Sequence, residues 1–332
     1  MDKPANNLPR AEAREALESA ARASLRAPSV FNTQPWKWRL TGEVLELASD
    51  PGRRLGVTDA EGRLLLLSCG GVLHHARITL AAAGWHSVVQ RFPEERRPDL
   101  LARISVAGAG EPDPLAQNLA AAISRRRTDR RAFGESPVTE QTLTRLRRLV
   151  EAEGAYLHVV PDDRVPELAI SVDLAADANY FDPAHRTELT AWTHRPAWTG
   201  DGVPPSTVVE PSLRRVPVRN FLPGGSAGLL ASADHDEGAT YVIIFGTTDR
   251  PVDLLRGGEA MSALLLQATV EGLATAPISE AVEVAWPRQL LTRLLAGIGE
   301  PYLIVRLGYV ESAEDVPPSP RRTPTEVIEI EE

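Results

Sequence analysis

Ala, Leu and Glu recur at helical spacing from Ala11 to Arg26, and Pro28 ends the run. Apolar and polar positions alternate from Trp38 to Leu47 across a Thr-Gly turn, the pattern of a β-hairpin. From Leu64 to Gly84, the apolar positions Leu65, Val72, Leu73, Ala76, Leu80 and Ala83 predict a long, mostly buried helix closed by glycine. A strand is expected over Leu101–Val106, helices over Leu115–Arg127 and Thr139–Glu153, and strands over His158–Pro161 and Tyr241–Phe245.

One stretch occurs twice in weak form. CGGVLHHARITLAAAGW, from Cys69 to Trp85, lies against GGEAMSALLLQATVEGL, from Gly257 to Leu273, at a displacement of 188 residues that matches Gly70 with Gly258, Leu80 with Ala268 and Gly84 with Gly272. After a gap, each run is followed by an apolar strand, at Leu101–Val106 and Tyr302–Leu307. Two buried Ala-rich helices can look alike by composition; the alternative is an internal duplication, a fused pseudo-dimer. Residues 196–228 fit neither half. They are rich in Pro and Gly, stiffened by Pro196, Pro204, Pro205, Pro211, Pro217 and Pro223, and longer than the ~12 to 15 residues usual for a loop, so a lid is expected there, with Trp198 and Phe221 available to cover a ligand. The alternating tail VIEIEE reads as packed.

Composition narrows the class. The 332 residues are 43% hydrophobic and 24% charged, near the globular average, which excludes a disordered chain. A net charge of −9 removes the broad positive field that nucleic-acid binding needs. Lys3 and Lys37 are the only lysines among 36 basic residues, a bias of GC-rich, actinobacterial coding. The single cysteine, Cys69, makes no internal disulfide and fits a reducing compartment. The polar start of the chain lacks a signal-peptide core, and His74, His75 and Arg77 interrupt the apolar stretch from Leu64 to Trp85, so no membrane span is expected and the location reads as cytoplasmic.

The common chemical signatures are missing. Gly108-x-Gly110 leads to Asp113 at the sixth position, so there is no dinucleotide fingerprint, and neither a phosphate-binding G-x-x-x-x-G-K nor a G-x-S-x-G occurs. His74 and His75 point about 100° apart on a helix with no carboxylate at i+4, so no metal site is assigned. Cys69 on an apolar helix reads as an inert thiol, and no catalytic side chain is assigned. Two segments remain. Ala27 to Trp36 (APSVFNTQPW) offers Ser, Asn, Thr and Gln between stiffening prolines, suited to a flat heterocycle with carbonyl and N–H edges, although a helix-capping turn would look similar. Arg125 to Arg131 (RRRTDRR) is a basic cluster in an acidic chain, suited to bidentate phosphate binding unless it is a solvated helix end.

The first segment resembles the A-P-S-x-x-N-x-Q-P-W of the nitroreductase superfamily, and Arg126 to Arg130 resembles its R-R-S-x-R segment. SCGGVLHH, RRRTDRRAF, LIVRLGY and the late PRR make the chain most similar to the Acg-type mycobacterial branch. The resemblance implies an α+β, nitroreductase-like fold: a central, mostly antiparallel sheet flanked by helices, duplicated as a first half over 1–112 and a second over 113–332. It implies FMN, which in the family sits at a homodimer interface, here assembled once within a pseudo-dimeric monomer. Pro28, Ser29, Val30, Asn32 and Gln34 would serve the flavin ring. Arg126, Arg127, Thr128 and Arg130 would hold the phosphate and ribityl chain, Pro277, Ile278 and Ser279 would approach the ring, and Arg321 and Arg322 would stand near the phosphate. The activity implied is an NAD(P)H oxidoreductase on nitroaromatic, quinone-like or related small-molecule acceptors; the alternative is a lidded protein that stores FMN with little turnover.

Overall fold

Helix α1 (Arg10–Ser24) buries Leu17, Ala20 and Ala21 in a core shared with the hairpin of β1 (Trp36–Thr41) and β2 (Val44–Ser49) and with the long helix over 63–82. Strict alternation in β1 sends Trp36, Trp38 and Leu40 inward, and Trp38 Nε1 donates to Ser24 Oγ at 3.0 Å. Helix α2 (Arg63–Ala82), β3 (Trp85–Arg91) and β4 (Leu100–Ala109) complete a first unit. A linking helix, α3 (Pro114–Ile123), starts on Asp113, whose carboxylate caps the amides of Leu115 and Ala116. The same succession then returns as α4 (Glu140–Ala152), β5 (Tyr156–Val159), β6 (Thr240–Gly246), α7 (Pro251–Val270), β7 (Ala274–Ile278) and β8 (Glu300–Gly308). Between β5 and β6 lie α5 (Val165–Phe181), α6 (Pro183–Thr193) and the long insertion; α8 (Glu280–Glu283) and α9 (Ala285–Leu294) follow β7, and α10 (Pro324–Val327) leads to β9 (Ile328–Glu331). The computed structural model describes residues 10–193, 195–221, 226–230, 235–312 and 314–331.

Strand order is β3-β4-β2-β1-β9 in one sheet and β5-β6-β8-β7 in the other, so equivalent strands pair in the same sequence. Every pairing is antiparallel except the parallel β1–β9 contact, which sets Trp38 opposite Ile328. The tail therefore crosses back from the second half of the chain to edge the first sheet.

The two units meet along α2 and α7. A Cβ on Gly70 would lie 2.0 Å from the Leu255 carbonyl oxygen, and one on Gly258 would lie 2.0 Å from that of Leu67. The contact is reciprocal, as across a two-fold axis. His74 Nδ1 and Ser262 Oγ, also 188 residues apart, meet at 2.8 Å. Helix α2 is long and apolar enough to cross a membrane, contrary to the sequence expectation, but 72% of its apolar window is buried inside the protein.

The pattern missed β3, β7, α5, α6, α8, α9 and α10. Burial in β3 alternates only between half-buried and exposed, which blurs its period. Residues 196–228 contain two short helical turns, Ala197–Thr199 and Pro205–Thr207, and a bridge from Val209 to Leu229. Val203, Val208 and Phe221 pack on Phe31, Leu55 and Leu189. Pro223 lies outside the described residues.

Candidate functional site

After α1, the chain enters the segment from Ala27 to Trp36. Ser29 is extended, and then Phe31 (φ 47°), Asn32 (φ 55°) and Gln34 (φ 50°) take left-handed conformations that disfavour side chains. Hydrogen bonds hold this strained loop. Ser29 Oγ accepts from the Gln34 amide at 2.9 Å, and the Val30 amide donates to Ser68 Oγ at 3.3 Å. Asn32 Nδ2 donates to the carbonyls of Gly202 and Pro320 at 3.0 and 2.9 Å, while its Oδ1 accepts from Arg321 at 2.9 Å. Gln34 Nε2 donates to the Gly200 carbonyl at 2.8 Å, and its Oε1 accepts from the Arg322 amide at 3.0 Å. Asn32 and Gln34 thus tie the insertion and the C-terminal segment to the loop.

The loop walls a slot of about 630 Å³. Pro28, Ser29, Val30 and Phe31 form one side; Leu64, Leu67 and Ser68 of α2, Met261 of α7, and Pro277, Ser279 and Leu303 form the base; Thr128, Arg130 and Phe221 close the rest. Phe31 and Phe221 meet edge to face, with centroids 6.0 Å apart. Arg130 lies over Phe221 at 4.6 Å, and Arg219 lies over Phe31 at 4.8 Å while donating to both carboxylate oxygens of Glu283 at 2.6 Å.

A smaller niche of about 380 Å³ shares Thr128 with the slot. It is lined by Arg26, Ile123, Arg126, Arg127, Thr207, Ser319 and Arg321, with prolines 317 and 318, and no carboxylate is among these residues. Burial, then Arg127, pushes Arg126 down to about 10; burial, then Arg126, Arg26 and Arg127, pushes Arg321 down to about 9. The Nε atoms of Arg126 and Arg321 are buried without a hydrogen-bond partner. Mutually repelling guanidiniums with spare donors have the chemistry to take an anion, and the slot beside them has the lining to take a flat, largely apolar group.

The turn carrying Thr128 and Arg130 is pinned from behind. The Asp129 amide donates to the Thr275 carbonyl of β7 at 2.9 Å, and the Asp129 carboxylate is taken by Arg131 at 2.7 and 3.0 Å. Fully buried Arg306 donates to both oxygens of Asp236 at 2.7 Å and to the carbonyls of Asp129 and Arg131 at 3.1 and 2.8 Å. The signal for Arg306 was a lone charge inside the apolar strand LIVRLGY.

Of the residues singled out by sequence, Pro28, Ser29, Val30, Thr128, Arg130, Pro277 and Ser279 come together in the slot, and Arg126, Arg127, Thr128 and Arg321 in the niche. Arg130 lines the slot rather than the niche. Asn32 and Gln34 point elsewhere, Ile278 is buried in the core opposite Ile304, and the Arg322 side chain donates to the carbonyls of Gln34 and Glu326. Trp198 covers nothing: it is 86% exposed, whereas Phe221 does border the slot. Arg26, Phe31, Ser68 and Met261 were missed; Arg26 reads in sequence as an ordinary helix-end cation. Burial pushes the Cys69 thiol up, and no group of three His, Cys, Asp or Glu residues suited to a metal occurs among the described residues.

Comparison with known proteins places the chain in a family. The chain is 37% identical over 323 residues to Rv3131 of Mycobacterium tuberculosis (strain ATCC 25618 / H37Rv), named for NAD(P)H nitroreductase activity, covering 95% of this chain and 91% of that protein. It is 35% identical over 320 residues to acg of the same strain, likewise named, covering 95% and 96%. The chain belongs to the nitroreductase family, on the branch of the mycobacterial acg proteins. No family model matches it. A solved structure, the FMN-dependent nitroreductase NfnB from Mycobacterium smegmatis in complex with NADPH, has a TM-score of 0.40 and 17% identity, covering 64% of this chain and 97% of that one, and at that distance fixes nothing further.

Proposed function

We propose that this chain is an FMN-dependent oxidoreductase that draws electrons from NAD(P)H and delivers them to nitroaromatic, quinone-like or related electron-poor acceptors. The observation that carries the reading is the apolar slot that shares Thr128 with a niche of four arginines, two with buried, unpartnered Nε atoms. Those residues fit FMN: a flat ring system joined through a polar chain to a phosphate.

When bound, FMN supplies the hydride and electron transfer. Arg126, Arg127, Arg321 and Thr128 would hold its phosphate, and Pro28 to Val30 with Pro277 and Ser279 would bracket its ring. Arg130, which burial pushes down to about 10, contributes the cation bordering the slot. Phe31 and Phe221 shield the slot from water. The chain supplies position, charge and exclusion rather than a catalytic acid or base. Taking 1–112 and 113–332 as the two halves, the slot draws Pro28 to Phe31 from the first and Thr128, Arg130, Phe221 and Pro277 from the second, so one chain completes one site.

A second reading, a flavin store with little turnover, is favoured by the clasp of Arg219 on Glu283, which braces Phe31 at the edge of the slot. One experiment separates the readings. The purified protein is expected to be yellow, to bleach anaerobically with NADH or NADPH, and to recover colour with a nitroaromatic or quinone. Protein that takes up no FMN overturns both readings; bound flavin that neither nicotinamide reduces leaves the store.

A further inference from the structure

A second cleft, of about 1240 Å³, is bordered by α2, α3, α4 and β3. Val89 and Arg91 of β3 line it, and the 188-residue displacement carries these two onto Pro277 and Ser279 of the slot. The cleft is thus the slot's counterpart in the pseudo-two-fold relation, with different chemistry on its floor.

Two guanidiniums and two carboxylates meet there. Arg91 gives Nε and Nη2 to buried Glu259 at 2.7 and 2.9 Å. Arg77 spends a single nitrogen on both acids, with Nη1 at 2.5 Å from Glu153 and 2.6 Å from Glu259. Its Nε and Nη2 make no hydrogen bond among the described residues and are not among the buried unpartnered atoms, so this edge of the guanidinium keeps contact with solvent. Arg77 itself lines the cleft, with 27% of its side chain exposed.

The charges on this floor cancel, two against two. His74, also in the lining, is neutral, because burial, then Arg77, pushes it down to about 3. Asp113, the other lining acid, is spent on the amides of Leu115 and Ala116. A free anion therefore finds no surplus cation, whereas a neutral pair of acceptors finds a planar donor fork already fixed by its carboxylate partners. Two acceptors side by side match such a fork, as the carbonyl oxygen and adjacent ring nitrogen of guanine do. Ile78, Trp85, Leu119 and Leu149 give the cleft apolar walls for a flat ring.

We propose that this cleft binds an uncharged, flat heterocycle presenting a carbonyl oxygen beside a ring-nitrogen acceptor, held bidentately by the Nε–Nη2 edge of Arg77. The site is separate from the flavin slot and does not depend on it. FMN is not its occupant, since the balanced charges leave no spare cation for a phosphate.

The test is calorimetric titration after saturation with FMN, which occupies the slot, using inosine against 7-deazainosine and benzoate against benzamide. Inosine is expected to bind at one per chain and roughly tenfold or more tighter than 7-deazainosine, which lacks the ring-nitrogen acceptor. Arg77→Lys keeps the charge facing Glu153 and Glu259 but removes the fork, and should erase that preference. Ala152→Trp, at an exposed lining position with no part in the ion pairs, should block inosine while leaving flavin content unchanged. Equal affinity for inosine and 7-deazainosine in wild type overturns the proposal, and that comparison stands even if Arg77→Lys fails to fold. Inosine binding undiminished in folded Ala152→Trp also overturns it, as does benzoate binding more tightly than benzamide, the mark of an anion site.

Discussion

Gly70 and Gly258 occupy the same position in two copies of one motif, and they touch. A Cβ on either would come within 2.9 Å of the other's Cα. The crossing of α2 and α7 is therefore closed to any side chain at this point, and the pseudo-two-fold relation of the halves is built on it.

Gly258→Ala should destabilise the fold sharply, because its Cβ would meet the Leu67 carbonyl oxygen at 2.0 Å, backbone that cannot swing aside. Overpacking typically costs about 1 to 3 kcal/mol, and a backbone clash belongs at the top of that range or beyond. Gly108→Ala, with nothing within 4 Å and no left-handed φ, is the control and should shift stability by less than about 0.5 kcal/mol. Urea unfolding decides; matching midpoints for the two variants would refute the packing argument.

Flavin should bind at one per chain. The displacement that carries Gly70 to Gly258 also carries Gly71, beside Pro28 and Met261 at the slot, to Glu259, and relates Ser279 to Arg91. Fully buried Glu259 accepts from Arg91 at 2.7 and 2.9 Å and from Arg77 at 2.6 Å, so an ion cluster fills the equivalent place. Absorbance of released flavin against protein concentration checks this, and two per chain would defeat it.

Removing phosphate donors should strip the cofactor selectively. A hydrogen bond to a charged group contributes about 1.5 to 3 kcal/mol, so Arg126→Ala or Arg321→Ala should each weaken FMN binding by roughly tenfold or more while changing riboflavin binding little. Arg127→Ala should matter less, since its Nε, unlike the unpartnered Nε atoms of Arg126 and Arg321, already donates to the Val316 carbonyl at 3.2 Å. Fluorescence titration with both flavins reads the difference; equal losses for FMN and riboflavin would place the arginines away from the phosphate.

Stability should fall as pH rises from about 5 to 7. Burial pushes Glu280 up from 4.5 to about 7, Arg219 opposing and Glu283 and Asp173 adding to the rise; burial pushes Asp59 from 3.8 to about 6. The unfolded chain gives up these protons at lower pH than the folded one, so their contribution is whole below the unfolded values and is lost as pH climbs through the folded ones. Glu280→Gln should flatten the profile by a few kcal/mol at most. Denaturation midpoints from pH 5 to 8 test it, and parallel profiles for variant and wild type would remove Glu280 as the cause.

Phe221→Ala should open the slot. Loss of the edge-to-face partner of Phe31 and of the ring under Arg130 should raise turnover with bulky quinones relative to small ones, with FMN retained. Flavin lost outright would show that Phe221 belongs to the binding wall, and unchanged selectivity would show that it gates nothing.

Much of this was legible in the residues. Helices α1, α2 and α4 and the first hairpin followed from their spacing, and the two polar segments stood out because no folding pattern required them. What could not be read was direction. Asn32 and Gln34 face away from the slot because the backbone turns left-handed at Phe31, Asn32 and Gln34, conformations that side-chain identity does not announce. Arg130 lines the slot because the ring of Phe221, far along the chain in the insertion, lies under its guanidinium. The 188-residue echo was visible, but it took the equivalent strand orders and the reciprocal carbonyl contacts at Gly70 and Gly258 to separate kinship from coincidence.

The returning tail has one more effect. Residues 320–322 bring Arg321 to the niche, and β9 then zips onto β1, so the last stretch of the second half works as a buckle fastened on the first. Where such a site is shared between separate subunits, it exists only while they remain associated, and dilution dissolves it. In the site proposed here both contributors are covalently joined and their encounter is intramolecular, so FMN content is expected to be independent of protein concentration. A chain cut before Arg321 would lose a guanidinium of the niche and an edge strand together.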